Sequence, residues 1–100
     1  MRKVYIIGSA CTPFGKHDSK SFQDLARWAY ADLLLDAGLS PQETRLIEQA
    51  WFGNCGMGQW GQGGIRGQVA FTPLVEAGVF PERVPMINVE GGCATASFAF

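Results

Sequence analysis

The residues best placed to do chemistry lie near the end of the chain, in Asn88-Val-Glu-Gly-Gly-Cys93-Ala-Thr-Ala-Ser97. A strand-like run over residues 84–89 meets a double glycine, then a single cysteine, then small residues that read as a first helical turn. That order presents a sulfur at a helix start, where free N–H groups and the helix dipole draw a thiol toward thiolate. A thiolate is a nucleophile, and the same N–H groups can receive an oxyanion. Cys93 is therefore the candidate catalytic residue.

The other candidates are weaker. Cys11, Cys55 and Cys93 are an odd number of cysteines at wide spacing, with no CxxC and no nearby histidine pair. Neither a disulfide framework nor a metal site is read from them; free thiols in a reducing compartment fit the spacing. Cys55 sits in a glycine-rich loop with no capping helix or charge partner beside it. The single histidine, His17, lies between Lys16 and Asp18 in a polar loop and is expected to be solvated. Seven of the fifteen residues at positions 53–67 are glycine. No G-x-x-x-x-G-K-[ST] occurs there. The GxGxxG frame at Gly56, Gly58 and Gly61 lacks an acidic residue at a strand end, since Glu82 falls in a turn, so nucleotide binding is not read.

The elements that must carry Cys93 follow in order. Residues 3–8 (Lys-Val-Tyr-Ile-Ile-Gly) form an apolar, β-branched run that reads as a buried parallel strand. Ser21-Phe-Gln-Asp24 is a capping box opening a helix whose buried stripe is Phe22, Leu25, Ala26, Ala29, Leu33 and Ala37, with Gly38 as its stop and Leu39 packing back. Trp28 and Tyr30 are expected at the boundary. Ser40-Pro-Gln-Glu43 is a second capping box with proline at N1, and residues 46–52 read as a second strand. The glycine-rich loop, with Met57 and Trp60 at its centre, reads as a segment ordered by packing on a partner subunit or ligand. Helical spacing resumes over residues 65–77 and is interrupted at Thr72-Pro73, giving a kink or two short helices with Thr72 as the new cap. Residues 86–89 are the third strand. The order β-α-β-α-β-α predicts an α/β fold with a mostly parallel sheet, helices on both faces, and functional groups at strand carboxyl ends.

The totals agree with one small globular unit: 100 residues, 47% hydrophobic, 17% charged, net charge −1. With no basic cluster, nucleic acid is a poor partner, and no run is long enough for a signal-peptide core or a membrane span. A cytoplasmic or organelle-matrix location is the default. Residues 94–100 are apolar and helix-forming with no stop signal, so the sequence is expected to be part of a longer protein.

Taken together, these stretches resemble the thiolase superfamily. Val4-Tyr-Ile-Ile-Gly8 with Thr12-Pro13-Phe14-Gly15 resembles the first strand and loop of thiolases, and Trp51-Phe-Gly-Asn54 the end of their second strand. Arg66 and Gln68 match the helix start after their glycine-rich loop, and Asn88 to Ser97 is similar to the nucleophile segment. The flavour is nearest to sterol-carrier-protein-type thiolases, with departures at Thr95 and Ala96, where serine and glycine are usual. The resemblance spans residues 1–100 and implies the first part of an N-terminal thiolase half-domain. It implies an acyl-CoA C-acyltransferase that forms an acyl-cysteine on Cys93 and makes or breaks a C–C bond. Coenzyme A and acyl-CoA are then substrates, no covalently bound cofactor is implied, cofactor-binding residues stay unassigned, and the protein is expected to be a homodimer or higher oligomer. In that family the activating histidines and second cysteine come from beyond these residues, so the 100 residues alone are expected not to turn over. The alternatives are a ketoacyl or hydroxymethylglutaryl-CoA synthase, and a non-catalytic thiolase-like scaffold or lipid-transfer subunit.

Overall fold

A computed structural model describes all residues 1–100. Three helices and one parallel strand pair make up a mixed α/β chain: α1 (Phe22–Ala37), β1 (Ala50–Gly53), α2 (Arg66–Glu76), β2 (Met86–Val89) and α3 (Thr95–Ala99). Short 3₁₀ turns cover Pro41–Leu46, Met57–Trp60 and Gly92–Ala94.

Both capping boxes form. The Ser21 hydroxyl accepts from the Asp24 N–H at 3.1 Å while the Asp24 carboxylate accepts from the Ser21 N–H at 2.9 Å. Ser40 and Glu43 repeat the exchange at the next turn. Gly38 takes a left-handed conformation (φ 68°), and Leu39 N–H donates back to Leu34 C=O, a Schellman ending.

The sheet pairs Ala50 with Met86, Trp51 with Ile87, Phe52 with Asn88 and Gly53 with Val89. The second strand is shorter than expected, 50–53 against 46–52, for two reasons. The preceding 3₁₀ turn runs to Leu46 and keeps the Ile47 N–H on Thr44 C=O. On the partner side the ladder opens at Ala50 N–H on Pro85 C=O, and Pro85 has no N–H with which to extend it backward.

The predicted strand over residues 3–8 does not join the sheet. Val4, Tyr5, Ile6 and Ile7 are 92, 73, 72 and 67% exposed. The root of this segment is instead held at the end of α1: a Cβ on Gly8 would lie 2.8 Å from Ala37 Cβ, and the Ser9 N–H donates to the Asp36 carboxylate at 2.9 Å.

The core also differs from the predicted stripe. Tyr30, placed at the boundary by spacing, is 6% exposed and clusters with Leu74, Phe80 and Val84. Its ring meets Phe71 and Phe80 edge-on at 5.7 and 5.9 Å, and its hydroxyl donates to Val79 C=O at 2.7 Å. A tyrosine can be buried because its one polar atom finds a carbonyl. Burial raises the pKa of that hydroxyl.

Helix α2 is continuous over Arg66–Glu76, so of the two expected outcomes at Thr72-Pro73 the pair of short helices is absent. Thr72 caps nothing; its hydroxyl donates to Gln68 C=O at 2.8 Å. Pro73 lies inside the helix and leaves Val69 C=O without its i+4 donor. Gln23 of α1 fills the gap, its Nε2 donating to Val69 C=O at 2.8 Å. The missing hydrogen bond inside α2 thus becomes a link between α1 and α2.

Two outcomes follow. Gln23→Ala is expected to lower the urea midpoint by about 1 kcal/mol of stability in the native background, and by much less in Pro73→Ala, where residue 73 can donate to Val69 itself. A double-mutant cycle by urea unfolding checks this. The Ser21 and Ser40 N–H groups, which donate to the carboxylates of Asp24 and Glu43, hold both pKa values low. Their contribution is present above the unfolded carboxylate pKa and is lost as pH falls through the folded value. Thermal midpoints should therefore drop on acidification below about pH 4, and the drop should shrink in Asp24→Asn with Glu43→Gln.

Candidate functional site

Helix α2 and the strand pair meet at Gly67. A Cβ there would collide with the Met86 sulfur and stand 2.7 Å from Phe52 Cβ and 2.9 Å from Asn88 Oδ1. With no side chain in the way, the Gly67 N–H donates to Asn88 Oδ1 at 2.7 Å, and Asn88 Nδ2 donates to Gln68 Oε1 at 2.7 Å. Gln68 Nε2 in turn donates to Met86 C=O at 3.0 Å. Helix α2 opens on Ile65, which has no capping side chain and sits at φ 43°. Asn88 of β2 supplies the acceptor that a local cap would have provided.

Arg66 ties the glycine-rich loop to the same point. Its guanidinium donates to Asn54 C=O at 2.6 Å and Gln62 C=O at 3.2 Å, while Asn54 Oδ1 accepts the Met57 N–H at 2.7 Å. Met57, expected to await an external partner, is 1% exposed and is the most deeply buried large side chain. Trp60 remains 69% exposed, with its ring edge-on to Phe22. At the carboxyl ends of β1 and β2 these residues leave an open groove of ≈ 290 Å³, bounded by Phe52, Gly63, Gly64, Arg66, Asn88 and Glu90.

The turn beyond β2 is built as the sequence predicts in order, and differently in detail. Gly92 has φ 57°, in the region that favours glycine. Cys93 stands on the 3₁₀ turn, exposed, one residue before the Ala94 cap of α3. Helix α3 has five residues. Thr95 is buried and locks the turn: its hydroxyl accepts the Gly91 N–H at 3.0 Å and donates to Gly92 C=O at 2.7 Å. The Glu90 carboxylate accepts the Gly92 N–H at 2.8 Å, so the anion drawn to this turn is one of the chain's own.

Helix α3 packs on the sheet face opposite α2. A Cβ on Gly53 would stand 2.9 Å from Thr95 Cγ2 and 3.3 Å from Ala99 Cβ, and one on Gly91 would enter the Phe98 ring. Residues 52 and 53 point to opposite faces, so α2 covers one face of the pair and α3 the other.

His17 is not solvated as expected. It is half-buried, Nε2 donates to Pro13 C=O at 2.8 Å, and the ring meets Trp28 edge-on at 5.6 Å. His17 thereby closes the loop before α1, while the loop residues around Cys93 draw on Glu90 and Thr95 instead. Cys11 and Cys55 are exposed, with Cys55 in the bend after β1. No three His, Cys, Asp or Glu side chains group so as to hold a metal ion, and no helix is long and apolar enough to cross a membrane. Sequence reasoning assigned no role to Glu90, Asn54 or the Thr95 hydroxyl. For Glu90 the signal was present: a carboxylate directly before a double glycine has flexible amides within reach.

The fold and this turn define a mixed α/β chain with a parallel strand pair and a thiol on the turn after the second strand. A scan against models of protein families gives no match, and a search of curated proteins gives none either.

Gly67→Ala is expected to cost about 2 kcal/mol or more, because the new methyl meets Phe52 Cβ, which cannot swing aside, as well as the Met86 sulfur and Asn88 Oδ1. Asn88→Leu should cost about 1–2 kcal/mol by leaving the Gly67 N–H unpaired. Urea unfolding followed by circular dichroism measures both, and a loss under about 0.5 kcal/mol in either would contradict the geometry.

Proposed function

We propose that this chain carries the acyl-accepting cysteine of an acyl-CoA C-acyltransferase of the thiolase type, with Cys93 as the nucleophile. The observation supporting this reading is the sequence of parts after β2: a parallel strand end, a Gly91-Gly92 turn, an exposed thiol and a helix start. Strand carboxyl ends are where α/β sheets place reactive groups. The motif resemblance adds the chemistry.

In this reading the Cys93 thiolate attacks the acyl-CoA carbonyl carbon and a new C–S bond forms. The bond to the coenzyme A sulfur breaks, and coenzyme A leaves as a thiolate that takes a proton from solvent. The acyl group is then held as a thioester until a carbon nucleophile takes it in Claisen condensation, or coenzyme A returns in thiolysis. Charge develops on the carbonyl oxygen, and turn amides are the nearest donors. Thr95 keeps those amides in place. Glu90 must release the Gly92 N–H before that amide can serve. A homodimer and a cytoplasmic or organelle-matrix location belong to the same reading.

Two observations favour a second reading, a non-catalytic thiolase-like scaffold. The Glu90 carboxylate already occupies a turn amide, and Cys93 does not line the groove at the strand ends.

One experiment separates them. Incubated with acetyl-CoA, the longer protein that the resemblance implies, with its activating histidines, should acquire a hydroxylamine-labile acetyl group on Cys93, located by peptide mass mapping and absent in Cys93→Ser. Iodoacetamide should label Cys93 about tenfold faster than Cys11 or Cys55, and acetyl-CoA should slow that labelling. Glu90→Gln should speed acetylation. Equal labelling of all three cysteines, with no acetyl adduct, assigns the chain to the scaffold reading.

A further inference from the structure

The carboxyl end of β1 meets the residue that ties the Cys93 turn together. A Cβ on Gly53 would stand 2.9 Å from Thr95 Cγ2 and 3.2 Å from the Thr95 carbonyl oxygen, so strand and threonine touch with no room for a methyl group between them. Gly53 is not among the glycines of positive φ. Its backbone conformation therefore suits any residue, and what excludes a side chain there is the nearness of Thr95.

Thr95 divides its side chain between two contacts. The γ-methyl rests on Gly53. The hydroxyl spans the two glycines before Cys93, accepting the Gly91 N–H at 3.0 Å and donating to Gly92 C=O at 2.7 Å. The Ala94 N–H, on Gly91 C=O at 3.1 Å, closes the same stretch of chain. Cys93 lies inside each of these closures.

Thr95 is only 7% exposed, and its methyl and hydroxyl hang on one stiff, branched Cβ. A push on the methyl from β1 therefore moves the hydroxyl, and with it the hold on Gly91 and Gly92.

We propose that Gly53 is a positioning residue for Cys93, acting through Thr95. Its bare backbone lets the Thr95 methyl seat on β1, and that seating keeps the hydroxyl bridge closed around the thiol's turn. The sulfur's reactivity depends on where the turn holds it, because a small misplacement of a reacting group is costly. The proposal deepens the acyl-transfer reading and rests on it for the role of Cys93.

The test uses the protein of the acetylation experiment and two readouts: hydrogen exchange of the Gly91 N–H, and the iodoacetamide rate of Cys93 against those of Cys11 and Cys55. In Gly53→Ala the Gly91 amide should exchange about tenfold faster, and the Cys93 rate should fall about tenfold, to that of the other two thiols. Thr95→Val keeps the branch and lacks the hydroxyl, so it should give both losses with Gly53 intact. Thr95→Ser keeps the hydroxyl and lacks the methyl. Alone it should leave both readouts near native, and combined with Gly53→Ala it should restore them, because the clash is gone and the bridge remains. Where Gly53→Ala alone does not fold, Thr95→Val supplies the loss and the double variant the restoration.

The proposal is overturned if Cys93 stays about tenfold faster than the other thiols in Gly53→Ala or Thr95→Val. It is also overturned if Thr95→Ser restores the thermal midpoint of Gly53→Ala and not the Cys93 rate, which would make Gly53 a packing residue only. Equal labelling of the three thiols in the native protein instead removes the acyl-transfer reading, and the proposal with it.

Discussion

The contact on which the structure depends is the approach of Gly67 to the strand pair. No other residue type fits between Phe52, Met86 and Asn88 at that distance. The approach brings the start of α2 onto β2, so that the Asn88 side chain can receive the Gly67 N–H and reach Gln68. Without it, α2 would begin at an uncapped Ile65 in a left-handed conformation, a combination that costs of order 1–3 kcal/mol. The groove at the carboxyl end of the strand pair, bounded by Phe52, Arg66 and Asn88, follows from that seating.

A common logic joins this contact to others. Where the sequence leaves a backbone group without its local partner, a side chain from a distant element supplies one. Pro73 orphans Val69 C=O, and Gln23 donates to it across the α1–α2 interface. The loop at Asn54 has no ladder partner for its carbonyl, and Arg66 provides it. Tyr30 is drawn into the core by its rings' neighbours and satisfied by Val79 C=O. Buried polar groups must be paired, so each gap becomes a tertiary link.

The same rule shapes the turn at Cys93. Gly91 and Gly92 allow the chain to reverse and let α3 lie close on the sheet. Thr95 and Glu90 then take up the turn's free N–H groups. The thiol is left exposed on a rigid turn whose amide at Gly92 already holds a carboxylate. That geometry sets the terms for any chemistry at Cys93: an oxyanion formed there would have to displace Glu90 from the Gly92 N–H.

What the sequence by itself determined is everything that rests on neighbours within four residues. The two capping boxes and the left-handed stop at Gly38 were legible there, because each is decided by local hydrogen bonds and backbone sterics. Only the tertiary structure decided which runs paired and which side chains were buried. The β-branched run at residues 4–7 reads as a strand, yet a strand exists only where another offers its N–H and C=O groups, and its root is held at α1 instead. Tyr30 reads as a boundary residue and Met57 as one packed on a partner or ligand, and packing within the chain buries both. Pro73 reads as a kink or a division into two helices, and Gln23, fifty residues earlier in the chain, takes the carbonyl that the proline leaves without a donor. The Glu90 carboxylate at the Cys93 turn shows both influences: its neighbours put it within reach, and the fold of the turn gave it the amide.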